Sequence, residues 1–421
     1  MSPIGPFDCS VDTTREGVPR LQKKFPIVPT VVESLDPVLR AARDGLKRTV
    51  HGVAEKFIAP LHSRLIGYQA RQDIYDITFW NSLSSLDPVT AIDFLKVFAE
   101  SPKTEMDIEL PPAQYVQSKV ESCRGQYGVW PISLSFPEKA ARTTEKTQVI
   151  SRVIPGEAYA FESQVAYYLQ YAQSNYAITH RKAGWDCFRH VEILAAGCIP
   201  LMIDAADIPQ CSMVHYPKEA FIEIVSRVEA SGALPSEQLI TAFANWFDRH
   251  LTAEAMANYT IQAASLADVQ RVLFVDQRLP LQPDYQSLLA LIGLKQVLGD
   301  RCEVLHPVDY VYQDWRGDAT KNYGRGFGYT RVLDPKLRTR HEVGRETSSR
   351  VRRQLKEESF DLVVVGSLAR NGPLAHKLLT LHPPNQTIWI HGEDHPPSPR
   401  EMHFIRASGT HAFVRAIPEN Y

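Results

Sequence analysis

Residues 176–204, YAITHRKAGWDCFRHVEILAAGCIPLMID, constrain this chain more than any other stretch. A short apolar, β-prone run (176–179) gives way to a polar loop (180–185) carrying Arg181, Lys182 and Gly184. Asp186 stands where a helix N-cap is expected, and Phe188, Val191 and residues 193–196 set an apolar helical face behind it. Gly197 falls at the usual C′ position, and residues 199–203 have the character of a buried strand. Strand, helix and strand at this spacing make one βαβ unit. The loop after its first strand lies at the carboxyl edge of a parallel sheet, where open α/β sheets bind ligands.

That loop has the chemistry of an anion site. Arg181, Lys182 and the free N–H groups at the helix start can converge on a phosphate, and Gly184 permits a close backbone approach. Asp186 argues the other way, because a carboxylate at the cap competes for the same N–H groups. Glu192 lies about two helical turns in, within reach of a ribose hydroxyl pair. A basic surface loop before an amphipathic helix, with Glu192 on its solvated face, accounts for the same residues.

Lys182, Gly184, Trp185, Asp186, Cys187, Arg189, His190, Glu192, Ile193, Leu194, Ala195, Gly197, Cys198, Ile199 and Pro200 follow a KxGWDCxRHxEILAxGCIP pattern. In this the stretch resembles the nucleotide-sugar motif of GT-B glycosyltransferases, in particular an exostosin-like group. The resemblance extends more weakly over residues 129–259. It implies that Glu192 holds the donor ribose and that Arg181, Lys182 and Arg189 hold the diphosphate, with Gly184 in the same loop. It also implies a nucleotide-diphospho-sugar donor and a glycan or other hydroxyl acceptor, with no metal cofactor required.

The rest of the chain supplies bounds. Its 421 residues, 44% hydrophobic and 22% charged, are an ordinary globular composition and suggest two or three domains. A net charge of −2 gives no general attraction to nucleic acid or anionic membrane, so no nucleic-acid partner is expected. The six cysteines show no zinc or CxxC spacing and no disulfide-framework density. With neither an apolar signal core nor a long uncharged apolar run, a cytoplasmic protein with free thiols is the default, and peripheral membrane association stays open.

Along the chain, a Pro-rich lead-in precedes helical patterning over residues 31–100, and the Pro-rich acidic run 101–117 marks a boundary. Residues 1–112 are therefore an accessory helical section, 113–265 a Rossmann-like donor domain and 266–421 a Rossmann-like acceptor-side domain. Strand-like runs at 130–136 and 149–155 lead to a tyrosine-rich helix (162–173), whose tyrosines suit core packing and whose Glu162 is a minor site candidate. His215, in a loop, is an acid–base candidate by type, with a structural role as the alternative. After residue 271 a second strand–helix–strand series begins, without a GxGxxG signal. The glycine-rich loop 310–331 suits a lid, an acceptor segment or a solvated loop, and the charged run 342–358 suits a solvated helix.

The strand 387–391 ends in HGEDHPP, which places His391, Glu393, Asp394 and His395 together at a carboxyl edge. A general base, metal ligands and a polar turn all fit these residues. The strand–GED–strand arrangement ending in HAFVRAIPE resembles the first Rossmann-like domain of the same glycosyltransferases, but here it follows the donor domain. The expected fold is thus α/β, with two GT-B-like Rossmann domains in circularly permuted order and a helical N-terminal section. The expected activity is sugar transfer, with Asp394 or His395 as base if the anomeric centre inverts. A nucleotide-sugar epimerase and a nucleotide-sugar-binding or scaffold protein without turnover are the competing readings.

Overall fold

The computed structural model describes residues 104–137, 145–153, 161, 163–264, 269–340, 342, 353, 355, 357 and 360–417, all within the compact unit Gln72–Tyr421. The helical patterning before residue 101, Glu162 and most of the charged run 342–358 lie outside the described residues.

The chain is mixed α/β with parallel sheets. In order it forms β1 (Glu105–Met106), α1 (Tyr115–Tyr127), β2 (Trp130–Pro131), β3 (Gln148–Ile150), α2 (Gln164–Ala172), β4 (Ser174–Thr179), α3 (Phe188–Ala195) and β5 (Ile199–Met202). There follow α4 (Lys218–Ser231), β6 (Leu234–Pro235), α5 (Glu237–His250), α6 (Ala253–Ala263), β7 (Val272–Val275), α7 (Tyr285–Leu298) and β8 (Cys302–Val304). The last elements are β9 (Leu362–Val365), α8 (Leu368–Leu378), β10 (Thr387–His391), α9 (Pro399–Ser408) and β11 (His411–Val414).

β3, β4 and β5 make a three-stranded parallel sheet in that order. The larger sheet has six strands in the order β2-β11-β10-β9-β7-β8, every pair parallel. β5, β7, β9 and β10 are buried along their whole length, as parallel strands covered on both faces require. β2 precedes the small sheet in sequence yet pairs with β11, so residues 113–265 contribute to both sheets.

The chain crosses between the sheets twice, and the crossings lie side by side. Phe136 N–H donates to Leu251 O at 2.9 Å and Ala253 N–H to Phe136 O at 2.8 Å, a parallel bridge between Phe136 and Thr252. Thr252 then caps α6, its hydroxyl accepting from Ala255 N–H at 3.1 Å. α6 packs on α7 so closely that a Cβ at Gly293 would fall 2.1 Å from Ala253 O; only glycine fits there.

Two sequence expectations are corrected here. Cys123 and Cys211 form a disulfide, with Cα atoms 5.7 Å apart, that fastens α1 to the loop before α4. Spacing carried no hint of a pair 88 residues apart. Cys187, Cys198 and Cys302 are free. Disulfides are rare in cytosolic proteins, so free thiols no longer argue for a cytoplasmic location. Glu342 is also no solvated residue. It is 2% exposed and pairs with Lys295, 0% exposed, at 2.5 Å, while Tyr312 OH and Thr339 donate to the same carboxylate. Among the described residues no helix is long and apolar enough to cross a membrane.

Candidate functional site

A cavity of about 540 Å³ opens where loops after β3, β4, β7, β10 and β11 meet. Carboxyl edges of both sheets therefore line one space, the position at which open parallel sheets bind ligands.

The loop after β4 is shaped from within. His190, on α3, is fully buried; its Nδ1 lies 3.0 Å from Thr179 Oγ1 and its Nε2 3.0 Å from Trp185 O. Burial, reinforced by the Arg189 charge, pushes its pKa down to about 3, so a neutral ring ties strand end, loop and helix together. Asp186 does not cap α3. The N-cap is Cys187, which offers no side-chain acceptor, so the first N–H groups of α3 are left without a side-chain cap. Asp186 turns away instead, with Oδ2 accepting from Leu134 N–H at 2.8 Å and Oδ1 from Tyr216 OH at 3.2 Å. The expected competition between this carboxylate and a phosphate is therefore absent. Burial raises Asp186 to about 7, against the pull of Arg415.

The cavity gathers some of the expected donor residues. Lys182, Arg189 and Glu192 line it. Arg189 Nε and Nη1 are buried there with no hydrogen-bond partner. Burial first, then the Arg189 charge, holds Lys182 below its usual pKa. Glu192 is 2% exposed, which rules out a solvated face. Tyr168 OH donates to its Oε1 at 2.7 Å and Tyr167 OH to its Oε2 at 3.2 Å. These α2 tyrosines, expected to serve packing, thus orient the carboxylate. Burial raises Glu192 from 4.5 to about 7, partly offset by Tyr168 and Arg189.

Arg181 is elsewhere. Its guanidinium lies over the Trp185 ring, 5.1 Å from the centroid, and its N–H donates to Asp204 Oδ2 at 2.8 Å. It does not line the cavity. Gly184 holds two loops together: a Cβ there would lie 3.1 Å from Asp394 Cα, O and Oδ1.

Asp394 reaches the cavity and His395 does not. His395 is exposed, with Nδ1 3.1 Å from Pro396 O. Asp394 Oδ1 accepts from Arg415 Nη2 at 2.6 Å. Arg415 also donates through Nε to Gly392 O at 2.8 Å and through Nη1 to Asp186 O. One buried guanidinium so joins the ends of β10 and β11 to the loop after β4. His215 is buried against Ser133 Oγ at 3.1 Å and lies outside the cavity, in a structural place. Among the described residues no three His, Cys, Asp or Glu side chains are grouped to hold a metal.

Sequence reasoning missed Arg415, Asp284, Tyr285 and Gln286, all of which line the cavity. Arg415 is the first polar residue after an apolar strand, a position that itself marks the carboxyl edge. Asp284 carries the signal of a cap, and it does cap α7, accepting from Ser287 N–H at 2.8 Å. The glycine-rich loop is solvated in part, with Tyr323 exposed and residues 326–329 buried, and it is not detached. Phe327 packs on Tyr167 (5.6 Å between ring centroids), Gly328 N–H donates to Gln164 Oε1 at 2.9 Å, and Tyr323 and Gly324 reach the cavity.

The chain matches no family model, no curated protein and no solved structure.

Proposed function

We propose that the chain is a glycosyltransferase of permuted GT-B type that moves a sugar from a nucleotide-diphospho-sugar to an acceptor hydroxyl. The observation that carries this reading is Arg189, which lines the cavity and whose Nε and Nη1 are buried without a hydrogen-bond partner. Desolvated guanidinium N–H groups are costly unless an anion completes them. Lys182 and the uncapped start of α3 lie in the same loop-to-helix segment, so a diphosphate there meets cations and helix N–H groups together.

The chemistry follows from that charge. Breaking the bond from sugar to diphosphate builds negative charge on the leaving oxygen, and preorganised Arg189 and Lys182 stabilise it without a metal. Glu192, held by its two tyrosines, borders the same space and is the group for the donor ribose. Asp394, paired with Arg415 and next to Gly184, borders the same cavity and is the group for the acceptor proton in an inverting transfer. The order of the two sheets in the chain, small sheet before most of the large one, supports the permuted reading.

The test is a calorimetric and thermal-shift screen of the protein against UDP, GDP, ADP, TDP and CMP and their sugar conjugates, with and without magnesium. Saturable binding of one diphosphate, weakened about 10- to 100-fold in Arg189→Ala and reduced in Glu192→Ala, is expected. A folded protein that no nucleotide stabilises, or an Arg189→Ala variant that binds like wild type, refutes the reading.

A further inference from the structure

The walls of the cavity differ in hydrogen-bonding sense. Around α3 it presents donors, Lys182 and Arg189. The wall built by residues 282–286 and 392–394 presents acceptors. Asp284, Glu393 and Asp394 bring carboxylates to it. Gln286, 2% exposed, packs behind Gly392, and its amide Oε1 is buried without a partner. Gly392 allows this arrangement, since a Cβ there would fall 2.4 Å from Gln286 Cβ. Among the described residues Glu393 has no hydrogen bond or ion pair. Its charge adds to burial in holding Asp284 above the ordinary carboxyl range.

Arg415 already pairs with Asp394 and Arg370 lies 4.0 Å from Asp284, so Glu393 is the carboxylate of this wall left to a donating ligand, and a further negative charge beside it is repelled. Tyr323, 67% exposed, stands at the same cavity with its ring 5.5 Å from that of Tyr285. A sugar ring offers what this wall lacks: hydroxyl donors around its edge and an apolar face for an aromatic ring.

We propose that Glu393 and Asp284, with Tyr323 beside them, form the acceptor subsite, and that it takes a neutral or amino-bearing polyhydroxyl ring and excludes uronic-acid, sulfated and phosphorylated ones. The word acceptor rests on the glycosyl-transfer reading above; the charge preference does not.

The test is saturation-transfer NMR titration of the full chain with the p-nitrophenyl β-glycosides of glucose, glucosamine and glucuronic acid. Glucoside and glucosaminide should bind about tenfold or more tighter than glucuronide. Glu393→Gln, isosteric and at a half-buried position, should bring the glucuronide to within about threefold of the glucoside. Glucuronide binding as tight as glucoside binding in the wild type overturns the proposal. So does a protein that binds a nucleoside diphosphate but none of the glycosides, and in that case the donor reading stands. The expected glycoside order in a protein that binds no nucleotide supports the subsite and removes the donor reading instead.

Discussion

Glu192 should carry a measurable share of the protein's response to pH. It is buried between two tyrosine hydroxyls, and its carboxyl rises from 4.5 to about 7 chiefly through desolvation. Between those values the folded chain keeps a proton that the unfolded chain has released. Stability is therefore lost as pH rises through this window. At about 1.4 kcal/mol per pH decade, the whole window amounts to about 3 kcal/mol. Glu192→Gln keeps a side chain that accepts from one tyrosine and donates to the other, and it cannot titrate. Urea denaturation of both proteins near pH 4.5 and near pH 8 separates the contribution. Asp186, also raised to about 7, is present in both and cancels in the difference. The variant's stability relative to wild type should improve by about 3 kcal/mol between the two conditions. A relative stability constant to within about 1 kcal/mol would falsify the argument that burial governs this carboxyl.

Three further predictions follow from packing and charge. Lys295→Met alone should destabilise the fold by about 3–5 kcal/mol, because Glu342 is left charged and buried, whereas Lys295→Met with Glu342→Leu should cost markedly less; equal costs in chemical denaturation would remove the pair from the argument. Gly392→Ala should cost about 1–3 kcal/mol and weaken glycoside binding, since the new methyl meets Gln286; wild-type melting and binding would contradict the close approach. Cys123→Ser with Cys211→Ser should lower stability by about 2–4 kcal/mol, and a reducing agent should lower the melting temperature of the wild type but not of the double variant.

Local periodicity made much of the fold legible. β10 and α7 lie where apolar patterning put them, because each depends on residues close in sequence. The loop bearing Lys182 and Gly184 was legible for the same reason. What stayed hidden depends on distant partners. Asp186 has the look of a cap, but Leu134 and Tyr216 outbid the helix for its carboxylate. Tyr167 and Tyr168 sit on an amphipathic helix like packing residues, and only Glu192 gives their hydroxyls a task. Arg415 contacts Asp186 across a separation of 229 residues that no local pattern records. Arg181 and Lys182 are adjacent and alike in charge, yet the stacking of Arg181 on Trp185 sends one outside the cavity while the other lines it.

The placement of β2 has a consequence for the order in which the molecule can assemble during synthesis. β2 emerges early, but its neighbour β11 is made last among the strands, with Phe413 opposite Trp130. The small sheet lies wholly between them in the chain and can close while β2 still lacks its ladder. Arg415, which completes the junction of loops around the cavity, follows β11 directly. A nascent chain thus acquires its small sheet well before it acquires a finished cavity.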